Sequence, residues 1–182
     1  MWSRAQPKPG WVSLTDRAAG RQAGSMTETQ ETAAAKSPLD PASMSGFELL
    51  MAMRDGLFPP APIAETLGMV DFDGEPGSIS VALEPEHRHY NPLGTVHGGV
   101  ISTMLDTAAG CSVHSTLTAG EGYTSLDLTV KFLRPATVES GRLRAVGRVV
   151  HRGRRTALAE AQLFDARDRL VAHATSSCMI FA

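Results

Sequence analysis

The stretch GGVISTMLDTAAGCSVHSTL, residues 98–117, decides the fold. Ile101, Met104, Leu105, Ala108 and Ala109 recur in it at helical spacing, which predicts a helix of about five turns, the most apolar long helix of the chain. On either side the period changes to two. Upstream, Ile79, Val81 and Leu83 alternate with Ser78, Ser80 and Ala82 and predict a strand over 78–83, and residues 63–70 read as a weaker strand. Downstream, strands are expected over 123–133, 142–151, 156–164 and 170–181. In the first of these Leu126, Leu128, Val130 and Phe132 face one way, while Gly153 and residues 165–168 supply hairpin turns. One helix followed by an antiparallel meander is an α+β arrangement, in which the sheet must wrap the helix to bury it. Further upstream, Ser45 can cap a short amphipathic helix with Phe47, Leu50, Met51 and Arg54 on one face, which Gly56 and the prolines at 59, 60 and 62 then end.

Composition bounds the rest. The chain has 182 residues, 17 Lys plus Arg against 19 Asp plus Glu, and 42% hydrophobic residues, as expected for one soluble globular domain with polar tails. Residues 1–43 are poor in large apolar side chains and read as a disordered tail. Residues 44–61 read as a short helix and proline-rich linker, and 62–182 as the domain. Met26 and Met44 are candidate alternative starts. No run approaches the ~18 apolar residues of a membrane span, and the N-terminus lacks the apolar core of a secretory signal, so a cytoplasmic protein without a membrane partner is expected. Cys111 and Cys178, the two cysteines, have no CxxC spacing and read as reduced core residues. A net charge of −2 is no footprint for nucleic acid, although residues 1–130 carry 7 basic and 15 acidic side chains and residues 131–182 carry 10 and 4.

The chemistry concentrates in HYNPLGTVHGG, residues 89–99, and in Asp106. Gly98 and Gly99 fall in the first turn of the long helix, where backbone N–H groups lack intrahelical acceptors and a substrate oxygen can approach closely. With the helix dipole behind them they form a candidate oxyanion hole. Asp106 interrupts an apolar helix, and a carboxylate near an apolar core costs several kcal/mol unless partnered. Its bland reading is a solvent-facing stripe with Ser102, Thr103 and Gly110; beside an HGG start a functional carboxylate is favoured. Eight residues of helix rise ~12 Å, so the Gly98 amide and the Asp106 carboxylate of one chain cannot both touch one carbonyl. Two antiparallel helices across a two-fold axis can supply both, which predicts an obligate dimer with two shared sites.

The run Asn91-Pro92-Leu93-Gly94-Thr95-Val96-His97-Gly98-Gly99 with Asp106, followed by Ser125 in YTSLDLTVKFLRPA, resembles the PaaI-type hotdog-fold acyl-CoA thioesterases over residues 62–181. The resemblance implies a five- or six-stranded antiparallel sheet wrapped round a long central helix, assembled into dimers and often homotetramers. It implies that the Gly98 N–H and the Asn91 carboxamide polarise a thioester carbonyl, with Gly99 beside them. Asp106 of the partner subunit would activate water or attack directly, and Ser125 would help hold the water. His97 would orient the loop or the carbonyl, or merely cap the helix. Arg152, Arg154 and Arg155, with Arg134, Arg142 and Arg148 nearby, are candidates for coenzyme A phosphates or a solvated basic hairpin.

No cofactor is expected. His87, His89 and His97 lack the cysteine or carboxylate that would complete a metal site, and thioester hydrolysis needs no metal. His114, His151 and His173 read as surface or sheet residues. Two other readings share the scaffold: a hotdog hydratase or dehydratase acting on acyl thioesters, and a non-catalytic acyl-thioester binding module. The small residues Ala108, Ala109 and Gly110 suggest space beside the helix, but aryl, phenylacetyl and medium-chain acyl groups all stay open, as does coenzyme A against an acyl carrier protein.

Overall fold

The computed structural model describes residues 40–182. The expected tail lies outside the described residues except for its last positions, where Asp40 caps a 3-10 turn over Pro41–Ser43. Three α-helices and seven strands follow: α1 (Gly46–Arg54), α2 (Pro62–Leu67), β1 (Met69–Glu75), β2 (Ser78–Leu83), α3 (Gly98–His114), β3 (Gly122–Ser125), β4 (Thr129–Phe132), β5 (Leu143–Arg152), β6 (Thr156–Phe164) and β7 (Leu170–Phe181). The strands form one antiparallel sheet in the order β1-β2-β5-β6-β7-β3, with β4 also paired to β7.

The sheet holds α3 against β2, β5, β6 and β7, which is the α+β hotdog arrangement. Its buried stripe is Ile101, Met104, Leu105, Ala108, Ala109, Ser112 and Val113, packed on inward residues such as Leu143, Ala145, Ala159, Leu163 and Ala174. Each fully buried leucine or methionine here contributes about 1.5–3 kcal/mol. The closest approach is at Gly147 of β5, where a Cβ would fall on the Ala108 carbonyl of α3. The Ser112 hydroxyl donates to that carbonyl at 2.8 Å and accepts the Ile79 N–H at 2.9 Å, fastening helix to sheet.

Two expectations are corrected. Residues 63–70 do not make a strand: Pro62 starts α2, Gly68 stops it at φ 72°, and the strand begins only at Met69. Proline at the first helical position and glycine just past the end are helix punctuation, and six residues of mixed apolar spacing fit either form. The segment 123–133 is two strands, not one, which raises the count to seven. Asp127 breaks it, because its side chain accepts the Ser177 N–H at 3.1 Å and its carbonyl accepts the Ser176 hydroxyl at 2.8 Å. Leu128 and Val130 are half-buried as the alternation implies, whereas Leu126 and Phe132 are 59% and 55% exposed. β3 and β4 are the free edge of the sheet beside β7.

α1 forms as expected, with a capping box in which Ser45 accepts the Glu48 N–H and Glu48 accepts the Ser45 N–H. Of the expected face Leu50 is buried, Phe47 and Met51 are half-buried and Arg54 is exposed, while Gly46 and Ala52 are buried as well. Gly46 is pressed against the end of α3, and its N–H donates to Leu117 O at 3.0 Å. No described helix is long and apolar enough to cross a membrane.

Candidate active site

The loop before α3 is built by Asn91. Its Oδ1 accepts the Leu93 and Thr95 N–H groups at 2.9 and 3.3 Å, its Nδ2 donates to the Thr95 hydroxyl at 3.0 Å, and Gly94 makes the turn at φ 77°. Among the described residues the second Nδ2 hydrogen has no acceptor. The Val96 N–H donates to Ala136 O and the His97 N–H to His89 O, so the loop is laced to its surroundings just before the helix begins. His89 is buried, with Nδ1 accepting the Glu86 N–H and Nε2 donating to Leu67 O, both at 3.0 Å. Neither nitrogen is left as a metal ligand.

His97 is the N-cap of α3: its Nδ1 accepts the Gly99 N–H at 2.8 Å and its carbonyl accepts those of Val100 and Ile101. Gly98 and Gly99 are therefore not equivalent. The Gly99 amide is consumed by the cap, whereas among the described residues the Gly98 N–H has no acceptor. Gly98 faces a cavity of about 370 Å³ that Asn91, Val96, Phe132, Arg134 and Pro135 also line, with the Phe132 ring 3.2 Å from where a Cβ on Gly98 would stand. Phe132 and Pro135 were not singled out for the site in the sequence; the KFLRP run hides them, because only the return of β4 toward α3 brings them to the helix start. His97→Ala is expected to destabilise the protein by about 1 kcal/mol, the usual worth of an N-cap, and to lower the thermal midpoint by a few degrees; His97→Asn, which keeps an acceptor, should recover most of it.

Asp106 lies farther along α3 on a half-buried face with Ser102, Thr103 and Thr107, flanked by fully buried Leu105 and Ala108. The Ser125 hydroxyl, at the end of β3, donates to Asp106 Oδ1 at 3.5 Å, a long contact that leaves the carboxylate largely free. Ser125 stands opposite Cys178 in the β3–β7 register. Burial, with Asp106 adding to it, pushes the Cys111 thiol up to about 12, and burial pushes the Tyr123 phenol up as well, so both stay neutral beside the carboxylate. The small residues expected to leave room are instead contacts: Ala108 meets Gly147, and a Cβ on Gly110 would come within 2.7 Å of the Tyr123 hydroxyl. Space beside α3 opens at Thr107 and Cys111.

One chain thus gathers Asn91, His97 and Gly98 at the start of α3, and Asp106 with Ser125 two turns on. It does not bring the two groups together. Of the arginines, Arg152 is committed to both carboxylate oxygens of Glu121 at 3.0 and 3.1 Å and to Gly153 O. Arg134 donates to Leu170 O, Arg142 pairs with Asp71, and Arg148 pairs with Glu160, which also meets His173. Among the described residues Arg154 and Arg155 are exposed on the β5–β6 turn without an ion pair. The partner of Arg152 lies 31 residues upstream, where no local pattern signals it.

Residues 93–172 match the Thioesterase superfamily. A solved structure of a phenylacetic acid degradation-related protein of thioesterase type from Ralstonia eutropha is 34% identical, with a TM-score of 0.65 over 71% of this chain and 98% of that one. The chain belongs to the thioesterase superfamily. The PaaI protein of the Escherichia coli phenylacetic acid degradation operon shares the fold, at a TM-score of 0.66 and 21% identity over 76% of this chain and 97% of that one. The medium/long-chain acyl-CoA thioesterase YigI of Escherichia coli is 34% identical over 98 residues, 47% of this chain and 62% of its own. As a superfamily member the protein is a thioester hydrolase. The matched segment takes in Gly98, Asp106 and Ser125, whereas Asn91 stands just before it and α1, α2, β1 and β2 lie outside it.

Proposed function

We propose that the protein hydrolyses acyl-coenzyme A thioesters at two centres shared across a dimer, in which α3 helices run antiparallel and each site takes Gly98 and Asn91 from one protomer and Asp106 and Ser125 from the other. The observation that carries this reading is the single free amide of the first turn of α3, the Gly98 N–H, opening on a cavity while the carboxylate it needs stands ~12 Å along the same helix. The exposed Leu126 and Phe132 on the free β3–β4 edge, together with the uncovered face of α3, supply the surface that such a dimer would cover.

In the proposed reaction the thioester oxygen accepts from the Gly98 N–H and the remaining Asn91 Nδ2 hydrogen, while the positive end of the α3 dipole favours the developing alkoxide. The carbonyl is already electrophilic, because sulfur donates poorly into it. Asp106 of the partner subunit takes a proton from water as it adds to the carbon, with Ser125 holding that water, and collapse of the adduct expels the thiolate. Direct attack by Asp106 is the other route open to the same geometry. His97 acts as a positioning residue here: its Nδ1 accepts the Gly99 amide and so fixes the first turn of α3 beside the free Gly98 N–H.

Thiol release from purified protein and a panel of acyl-coenzyme A compounds tests the reading. Protein-dependent release is the expected result; no release from any of them would sink it, and release only from the same acyl groups on a carrier protein would replace coenzyme A with that carrier. Coenzyme A phosphates are assigned to Arg154 and Arg155 and not to Arg152, which already holds Glu121. Arg154→Ala combined with Arg155→Ala should raise KM for acyl-coenzyme A by about threefold to tenfold and leave KM for acyl-pantetheine, which carries no phosphate, unchanged.

A further inference from the structure

A second cavity, of about 330 Å³, lies on the other flank of the Asp106 turn, between α3 and the helices that precede the family-matching segment. Its floor is Thr107, next in the chain to Asp106, and Cys111 one turn on; its walls include Leu50 and Met53 of α1, Ile63 of α2 and Met69 of β1. We propose that α1 and α2 form a cap over this cavity that receives the acyl chain of the substrate, fitting a straight saturated chain and setting its preferred length. This rests on the acyl-coenzyme A reading above and deepens it.

Four observations carry the proposal. The first is position: residues 106 and 107 are ~100° apart around the helix, so a carbonyl held at Asp106 can send its acyl group directly over Thr107. The second is chemistry. Apart from one aromatic ring, Phe72, the apolar walls are aliphatic and thioether, the Cys111 thiol is held neutral, and the charged side chains at the rim, Arg54 and Asp71, are already paired with Asp55, Asp73 and Arg142. An apolar chain loses nothing there, whereas a charged acyl end would be stranded without a partner. The third is size and adaptability: at about 30 Å³ per water-sized group the cavity takes roughly ten methylene-sized groups, and flexible methionines let the fit vary with length. The fourth is that the cap is a built element. α1 is fixed by its capping box, by Gly46 against α3 and by the Arg54–Asp73 pair to β1, and α2 is bounded by Pro62 and Gly68.

The test uses full-length protein and two substitutions on different walls. Ala64→Phe on α2 fills the cavity and Met53→Ala on α1 enlarges it. Ala64→Phe should lower the ratio of kcat/KM for decanoyl- over butyryl-coenzyme A at least tenfold, and Met53→Ala should move the preferred chain to a longer one. Ratios unchanged in both variants, with thermal midpoints near wild type, overturn the cap while leaving the hydrolase reading in place. Should Ala64→Phe fail to fold, Met53→Ala alone decides. Calorimetry with the non-hydrolysable thioethers S-decyl- and S-butyl-coenzyme A separates the two readings. At least tenfold tighter binding of the decyl compound to wild type, lost in Ala64→Phe, supports the pocket even if no thioester is turned over. Equal affinity for both compounds, as when another part of the chain or a second copy fills the cavity, overturns it.

Discussion

Asp106→Asn is expected to lower kcat by about 10³-fold or more, within the range that general-base and nucleophilic groups contribute, with the thermal midpoint close to wild type. The two halves of this result have separate grounds. Activity falls because the amide can neither take a proton from water nor attack the carbonyl. Stability holds because the carboxylate has no committed partner to orphan: its contact with Ser125 is 3.5 Å, and no arginine or lysine pairs with it among the described residues. Asparagine keeps the shape and can still accept from that hydroxyl. Ser125→Ala, which removes only the hydroxyl in that long contact with Asp106, should cost far less. Retained kcat in Asp106→Asn would remove the carboxylate from the mechanism altogether.

The second large effect is a gain. Gly98→Pro deletes the one amide hydrogen assigned to the thioester oxygen, and the helix can accept it: position 98 is the first helical residue, where proline is favoured, and His97 has the extended geometry (φ −62°, ψ 136°) that suits a following proline. Loss of one such donor is expected to cost about 10²–10³ in kcat. Gly98→Pro and Asp106→Asn homodimers should therefore both be nearly inactive. Co-refolded in equal amounts they should regain about a quarter of wild-type activity, because roughly half the dimers are mixed and each mixed dimer rebuilds one of its two sites from the intact Gly98 of one chain and the intact Asp106 of the other. Sites contained within single chains predict no recovery at all. The same mixture analysed by mass under native conditions reports whether mixed dimers formed, so an absent gain is attributed to the site and not to failed exchange.

What was legible in the letters follows the range of the forces involved. Strands β2, β6 and β7 match the expected spans, and α3 starts where its two glycines predict, because period and capping are local. The separation of Gly98 from Asp106 was readable for the same reason: helical rise is arithmetic. Residues 63–70 misled because a short apolar run carries both periods, although Pro62 and Gly68 bracket a helix. The break at Asp127 and the capture of Arg152 by Glu121 depend on partners far along the chain, Ser177 in one case and a loop after α3 in the other. The inequality of Gly98 and Gly99 turns on where one imidazole points, which spacing alone cannot say.

The meeting of Gly147 with the Ala108 carbonyl has a consequence for how such a catalyst can diversify. Main chain resting on main chain gives a datum of fixed height that no rotamer can raise or lower. The acidic turn just before Ala108 is thereby held at constant elevation above the sheet, whatever happens to the side chains lining the cavities around it. Tailoring for a new acyl group can proceed in those linings, and in the helices that precede the shared scaffold, without realigning the reacting groups.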